Sequence, residues 1–283
     1  MRTLRLSVDS EMSRWKNSQE SLFGTMLNQS YPRSSRTEDM VRTRLDDIYD
    51  GYIEGLRDRN DSLRYAGNRG LFHASSSGSC LRKIYYDSVE QVEPTEKDAD
   101  TLRLFRLGDI VHKDIQEAVS QYAQSSGSKV LIETEVIIPE YNVRGFLDLA
   151  ILEDKWLYDI KTCNSYKWKR MFGRTPDKDP HGNYTLQLGT YGIWVEKVFG
   201  RLEGLSLYYY NKNTSQTKEV SFNRSIITDA GLYWQEASDR LKSGIPDVKL
   251  GIAPVQGWEC NPKYCSFFAH CGGGIKPELL EKQ

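Results

Sequence analysis

No apolar run in these 283 residues approaches the roughly 18 needed to cross a bilayer as a helix. Nothing in the chain is expected to span a membrane. The opening residues, Met1-Arg2-Thr3-Leu4-Arg5, lack the apolar stretch of a secretory signal. The expectation is a cytoplasmic protein in a reducing environment. Neither sign of charge dominates: 38 Lys and Arg stand against 39 Asp and Glu, a net charge of −1. The basic excess that commonly marks nucleic-acid binding is therefore missing. That absence does not exclude such a partner, because an acidic metal site offsets a local basic patch. Cysteine is scarce, at five residues. In a reducing compartment they are not expected to form a disulfide framework, whereas clustered cysteines bind metal. Internal repeats are also lacking.

What is present reads as an α/β chain. Tyrosine is abundant, at 17 residues, which serves cores and rims more often than base stacking. Residues 1–72 are polar with two helical patterns. Met12, Trp15, Leu22, Phe23 and Met26 form the first. Val41, Leu45, Ile48, Tyr49, Tyr52, Ile53 and Leu56 form the second, with Thr37 as N-cap. A small-residue loop over 74–79 leads into a helix start at Cys80. Residues 100–124 form a long helix with Leu104, Leu107, Val111, Ile115, Ala118, Val119 and Tyr122 near one apolar face. Strands follow at 130–139, 141–151 and 155–162, the last two as a hairpin. Then come a helix over 184–199, strands at 205–210 and 219–222, and a helix over 228–243. This order predicts a mixed central sheet flanked by helices. Three regions are expected: a helical extension (1–72), a core (73–251) and a cysteine-bearing tail (252–283).

The chemistry concentrates on the hairpin. Asp148 and Asp159 fall on adjacent strands, so their carboxylates can meet across it. Lys161, two residues after Asp159, shares its face by period-two alternation. Hard carboxylate oxygens suit magnesium or manganese, and a bound cation activates water for phosphodiester hydrolysis. Lys161 can then orient that water or stabilise developing negative charge. Ile160 is expected to point into the core while its carbonyl faces the metal. The plain alternative is a salt-bridged surface ladder. Against it, Asp159 and Lys161 interrupt an otherwise apolar strand, and Gly145 sits where a ligand or backbone can approach closely.

The run Gly145-Phe146-Leu147-Asp148, followed by Asp159-Ile160-Lys161-Thr162, resembles the core of PD-(D/E)xK nucleases, specifically the RecB-like branch. That branch carries an upstream histidine in a G-x3-H setting, matched here by Gly108 to His112. It also carries a downstream Q-x3-Y, matched by Gln187 to Tyr191. The resemblance spans roughly residues 74 to 271. It implies a restriction-endonuclease-like fold. It also implies that His112, Asp148 and Asp159 bind metal, that Lys161 assists catalysis, and that Gln187 and Tyr191 order the site or contact DNA.

Four cysteines remain. Cys80 stands alone, and Cys260, Cys265 and Cys271 form C-x4-C-x5-C. Four thiolates hold an iron–sulfur cluster or a zinc ion. The one-plus-three split favours a cluster stapling distant parts of the chain over a zinc ribbon built from paired C-x2-C hairpins. Cys80 with Leu81-Arg82-Lys83 and Tyr85-Tyr86 resembles the first cysteine motif of RecB-like nucleases with a 4Fe-4S domain, including CRISPR-adaptation and AddB-type nucleases. Those relatives usually close with C-x2-C-x5-C, so the longer first gap here, containing Pro262, is a departure. Cys163 is expected to be a buried spare, and His181 and His270 ordinary loop residues.

Lys167, Lys169, Arg170 and Arg174 interleave with Trp168 and Phe172 just after the lysine strand. That pattern suits phosphate contact and base stacking on single-stranded ends, or else a solvated amphipathic helix. Arg82 and Lys83 form a second candidate patch. The expected function is a metal-dependent DNA nuclease. By the resemblance it is an exonuclease on single-stranded DNA or DNA ends, acting in recombination, repair, replication or CRISPR adaptation. A homo-oligomer or nucleic-acid-processing partner proteins are compatible with it. The alternative is a DNA-end-binding or assembly module with little or no cleavage.

Overall fold

The hairpin of carboxylates is the axis on which the rest is hung. A computed structural model describes residues 45–65, 70–244 and 260–271. The expected first helical pattern (Met12 to Met26), the Thr37 cap, and residues 252–259 and 272–283 of the tail lie outside the described residues. The chain divides into two compact units, Met1–Leu45 and Asp46–Gln283, and the described fold belongs to the second.

The elements run α1 (Leu45–Tyr65), β1 (Phe72–His73), α2 (Leu81–Ser88), α3 (Ala99–Ser126), β2 (Val130–Ile138), β3 (Val143–Ile151), β4 (Trp156–Cys163), α4 (Ser165–Phe172), α5 (Gly182–Phe199), β5 (Gly204–Asn211), β6 (Thr217–Phe222), α6 (Ser225–Lys242) and the single turn α7 (Phe268–Cys271). The six strands form one mixed sheet, with β3, β4, β5 and β6 adjacent in that order and β2 paired to β3. β1 runs parallel to the start of β3, from Phe72 opposite Val143. β2 and β4 are antiparallel to β3, whereas β4 and β5 are parallel and joined through α5.

Local chemistry sets the boundaries. Asp98 caps α3 by accepting the Thr101 N–H at 2.7 Å, and Gly127 ends it in the left-handed region at φ 76°. Asn142, at φ 58°, makes the turn from β2 into β3. Asn164 accepts the Lys167 N–H and starts α4 immediately beyond β4.

The core lies between the sheet and α2, α5 and α6. Trp234 of α6 is fully buried, stacks on Phe72 at 6.2 Å, and donates its indole N–H to Thr190 of α5 at 2.8 Å. Truncating a buried tryptophan of this kind costs about 3–5 kcal/mol. Cys163 is buried in this core, as expected.

The apolar stripe expected along α3 is not its buried side. Leu104, Leu107 and Tyr122 are about half exposed, and the buried residues are Leu102, Gln116 and Ala123. α3 lies against β2, β3 and β4. The side it turns to them carries polar His112 and Gln116, because the sheet beneath is itself polar there.

Candidate active site

The site begins where a ladder fails. β3 and β4 pair from Ile151 opposite Trp156 to Leu149 opposite Tyr158. The next pair in that register is Asp148 with Asp159, and there the ladder stops. Asp148 Oδ2 instead accepts the Ile160 N–H at 2.7 Å. The carboxylate thus replaces a lost strand–strand bond and is fixed by it. Ile160 is buried, as expected.

Asp159 is 0% exposed. Lys161 Nζ lies 2.7 Å from its Oδ2, but not at hydrogen-bond geometry, and among the described residues Oδ1 has no hydrogen-bond partner. Burial, reinforced by the Asp148 charge and opposed by Lys161, pushes the Asp159 pKa up to about 6. Burial would lower the Lys161 pKa, yet the charges of Asp159 and Asp148 outweigh it and the net direction is up. Lys161 is therefore an ammonium at neutral pH, a donor and not a base.

His112 arrives from α3. Gly108, one turn earlier, explains how: a Cβ there would meet Thr162 Oγ1 at 3.3 Å, so its absence lets the helix lie close to β4. His112 Nδ1 sits 3.6 Å from Asp148 Oδ1. Burial alone would lower its pKa, but the bond to and charge of Asp148 reverse the sign, and the net direction is up.

Gln187 and Tyr191 support Lys161 from α5. Lys161 Nζ donates to Gln187 Oε1 at 2.9 Å, and Gln187 Nε2 donates to Tyr191 OH at 3.3 Å. Burial, with the charges of Asp159 and Asp148 behind it, holds Tyr191 as a neutral phenol. Gly145 makes room for that ring, since a Cβ would lie 2.8 Å from Tyr191 Cε1. The Tyr184 ring lies 4.9 Å from Lys161 Nζ.

One residue of the site is absent from the expectations. Glu133, Asp148 and His112 each bring a ligand atom within 4.8 Å of the other two. Glu133 falls directly opposite Asp148 in the β2–β3 register, and the bridges skip it. Its φ of 45° is left-handed, which is unfavourable for a residue with a Cβ. Buried Gln116 ties it down, with Nε2 donating to Glu133 Oε1 at 2.8 Å and to the Asp148 carbonyl at 3.2 Å. The available signal was register: counting back from the turn at Asn142 puts Glu133 across from Asp148.

The donor set is mostly hard, three carboxylates with one imidazole, and among the described residues one buried carboxylate oxygen lacks any partner. An orphaned buried acceptor is costly in a protein interior, and a divalent cation bound by oxygen is one way to satisfy it. His112, Glu133, Asp148 and Asp159 are the residues that fit one.

The expected basic contacts scatter. Lys167 reaches the site, bonding the Tyr184 hydroxyl and covering its ring at 4.3 Å. Arg170 pairs with Asp177 at 2.8 Å, and Lys169 and Arg174 are exposed. Arg82 donates to Cys271 Sγ at 3.7 Å. His181 is a loop residue, as expected, just before α5, and its Nδ1 meets Tyr209 OH at 2.7 Å amid Phe172 and Phe222. His270 lies in α7, 3.2 Å from Glu90.

Cys80, Cys260, Cys265 and Cys271 are all free thiols, and their charges act on one another. Burial pushes the Cys80 thiol up, while the backbone N–H groups of Lys83 and Arg82 draw it down. Burial likewise raises Cys265, against the Phe267 N–H. Donors aimed at sulfur suit thiolates bound to metal.

No family model and no curated protein matches the sequence. Solved structures do. Two crystal structures of the alkaline exonuclease LHK-Exo from Laribacter hongkongensis, one in complex with dAMP, align over 64% of this chain and 92% of theirs; identities are 12% and 13%, and TM-scores 0.41 and 0.42. The protein SSO0001 aligns over 81% of this chain and 98% of its own length, at 17% identity and a TM-score of 0.53. At that identity the likeness to SSO0001 is one of fold. The six-stranded mixed sheet with its flanking helices is consistent with a restriction-endonuclease-like core.

Proposed function

We propose that this chain is a magnesium- or manganese-dependent nuclease of the PD-(D/E)xK, RecB-like type that hydrolyses phosphodiesters in DNA, as an exonuclease on single-stranded DNA or DNA ends. The observation that carries the reading is the buried, half-partnered carboxylate of Asp159 beside Asp148, His112 and a protonated Lys161. A salt-bridged surface ladder would have its acids solvated; here Asp159 is fully buried. The work of such a nuclease belongs to DNA recombination, repair, replication or CRISPR adaptation.

When bound, a divalent cation lowers the pKa of water and neutralises phosphate charge. The protein's own contribution is positional. Asp148, locked by the Ile160 N–H, and Asp159 supply fixed oxygens, with His112 and Glu133 closing one side. Lys161 has three N–H donors, of which Gln187 occupies one and Asp159 attracts another. The third is left for the attacking water or a non-bridging phosphate oxygen, where preorganised charge is most effective. Gln187 and Tyr191 keep the ammonium from swinging away.

The four cysteines are proposed to hold a 4Fe-4S cluster with a bracing role. A purified brown protein containing iron and sulfide is the expected result; a colourless one with stoichiometric zinc would replace the cluster with a zinc site.

The test of the nuclease reading is degradation of labelled single-stranded DNA by wild type and Lys161→Ala, with magnesium, with manganese and with chelator. Cleavage should require the cation and fall by about 10²–10³ in the variant. Cation-independent cleavage, or full activity without Lys161, would overturn it. DNA binding without cleavage would favour the end-binding alternative.

A further inference from the structure

Beside His112 a cleft of about 530 Å³ opens between α1 and α3 and reaches Thr162, one residue past Lys161. Its walls combine apolar side chains with cations: Arg57 from α1, Phe105 and Arg106 from α3, and Lys212 beyond β5. Asp109 is the one acid among its lining residues. Arg57 is engaged by Asp58 at 2.8 Å and, more loosely, by Glu96. Lys212 Nζ donates to the Leu104 carbonyl, and burial pulls its pKa down. Arg106 differs: it is half-buried in the cleft, and among the described residues no acid pairs with it. A half-buried guanidinium with no anion is a poor arrangement unless an anion is to come. Phe105 next to it is 51% exposed, with Leu104 at 50%.

We propose that this cleft seats the one or two nucleotides of a single DNA strand that flank the scissile phosphate. Arg106 and Lys212 take backbone phosphate, and Phe105, over whose ring Lys97 Nζ lies at 5.7 Å, offers its remaining face to a base. The inference rests on the nuclease reading and deepens it. The cleft volume lies in the range of small-molecule sites, about 300–1,000 Å³, which takes a nucleotide or two and leaves no room for a duplex. Its mixed character is the one that single-strand grooves use, cations for the backbone and aromatic faces for stacking. It also assigns α1 a role: that helix forms a wall of the cleft, anchored by buried Ile53 and by the Asp50–Arg103 ion pair.

The test is fluorescence anisotropy of a labelled single-stranded deoxyoligonucleotide, with calcium replacing magnesium, across a salt series. Wild type, Arg106→Ala, Arg106→Lys and Phe105→Ala are compared, alongside steady-state cleavage in magnesium. Arg106→Ala should flatten the plot of log K against log salt by about 0.7, the slope lost per single-strand phosphate contact. Arg106→Lys should restore that slope. Phe105→Ala, at an exposed position, should weaken binding about tenfold through lost stacking. Each effect should appear mainly in KM, with kcat retained. If wild type binds and cleaves but the Arg106 and Phe105 variants match it in affinity and slope, the cleft assignment fails alone. If wild type neither binds nor cleaves the oligonucleotide, the nuclease reading fails and the cleft assignment goes with it.

Discussion

Asp159 is a fully buried carboxylate, and its behaviour with pH follows from that burial. Its folded pKa, about 6, stands above the ordinary 3.8. Between those values the folded state binds more protons than the unfolded state. The metal-free protein therefore gains stability from this group as pH falls through about 6 towards 4, and gives it up as pH rises. Asp159→Asn removes the titration. The gap in melting temperature between wild type and this variant, without metal, should move in favour of wild type as pH falls from 7 to 4; a constant gap would mean an ordinary Asp159 pKa. Activity should run the other way. His112 is raised by Asp148 and Asp159 is raised by burial, so protons compete with the cation below about 6. Glu133 carries a second prediction. Glu133→Gln keeps the acceptor that Gln116 donates to but loses the charge. The cation concentration for half-maximal cleavage should rise several-fold while the melting temperature barely changes. This residue was not legible from motif spacing because it belongs to no motif; only the pairing of β2 with β3 brings it opposite Asp148. Asp148, Asp159 and Lys161 were legible, because charge in an apolar strand is conspicuous in a sequence.

At the scale of elements, one glycine decides how α5 sits. Gly189 faces α6, where a Cβ would come within 2.1 Å of the Ile226 carbonyl oxygen, a backbone atom that cannot step aside. In an isolated helix, alanine for glycine is favourable by about 1 kcal/mol. Here Gly189→Ala should reverse that sign and destabilise by about 1–3 kcal/mol, because it drives two packed helices apart. A denaturant midpoint at or above the wild-type value would contradict the close crossing of α5 and α6. Because α5 also carries Gln187 and Tyr191, the same change should lower cleavage more than its stability cost alone explains. Most element positions could be read in advance from alternation in the strands and apolar spacing in the helices, whereas the caps at Asp98 and Asn164 emerge only in the structure. α3 shows the limit. Its apolar residues trace a face by spacing, but periodicity cannot tell which side a helix turns to a polar sheet. Gln116 bonds Glu133 and the Asp148 carbonyl, His112 lies 3.6 Å from the Asp148 carboxylate, and those contacts, not Leu104 or Leu107, select the orientation. The two-residue β1 was not legible either. Its strand character comes from Val143 and Arg144 alongside it.

For the whole molecule, the question is what holds residues 260–271 against a helix more than 170 residues earlier in the chain. Some contacts need no metal: the Thr95 N–H donates to the Ser266 carbonyl at 2.9 Å, and Tyr86 packs on Phe267 and His270. These are few. Thiols left there without a metal would be a liability, since burial keeps Cys80 and Cys265 protonated and poorly solvated. A cluster bound only by the folded state adds its binding energy to folding. Cys80 caps α2, which packs on β1 and α6, and β1 lies beside β3, the strand of Asp148. A cluster held there would thus reach the site only through packing. Cys80→Ala and Cys271→Ala should therefore bleach the protein and lower its melting temperature by several degrees, while kcat per folded molecule stays near wild type at temperatures below the transition. Cys163→Ala, in the core, should keep both iron and colour. If the proposed cluster only braces the fold, chelator strong enough to remove magnesium should stop cleavage without bleaching. If instead either clamp variant, still folded by near-ultraviolet circular dichroism, loses kcat in proportion to its lost iron, the cluster takes part in the reaction and the bracing role assigned to it is wrong.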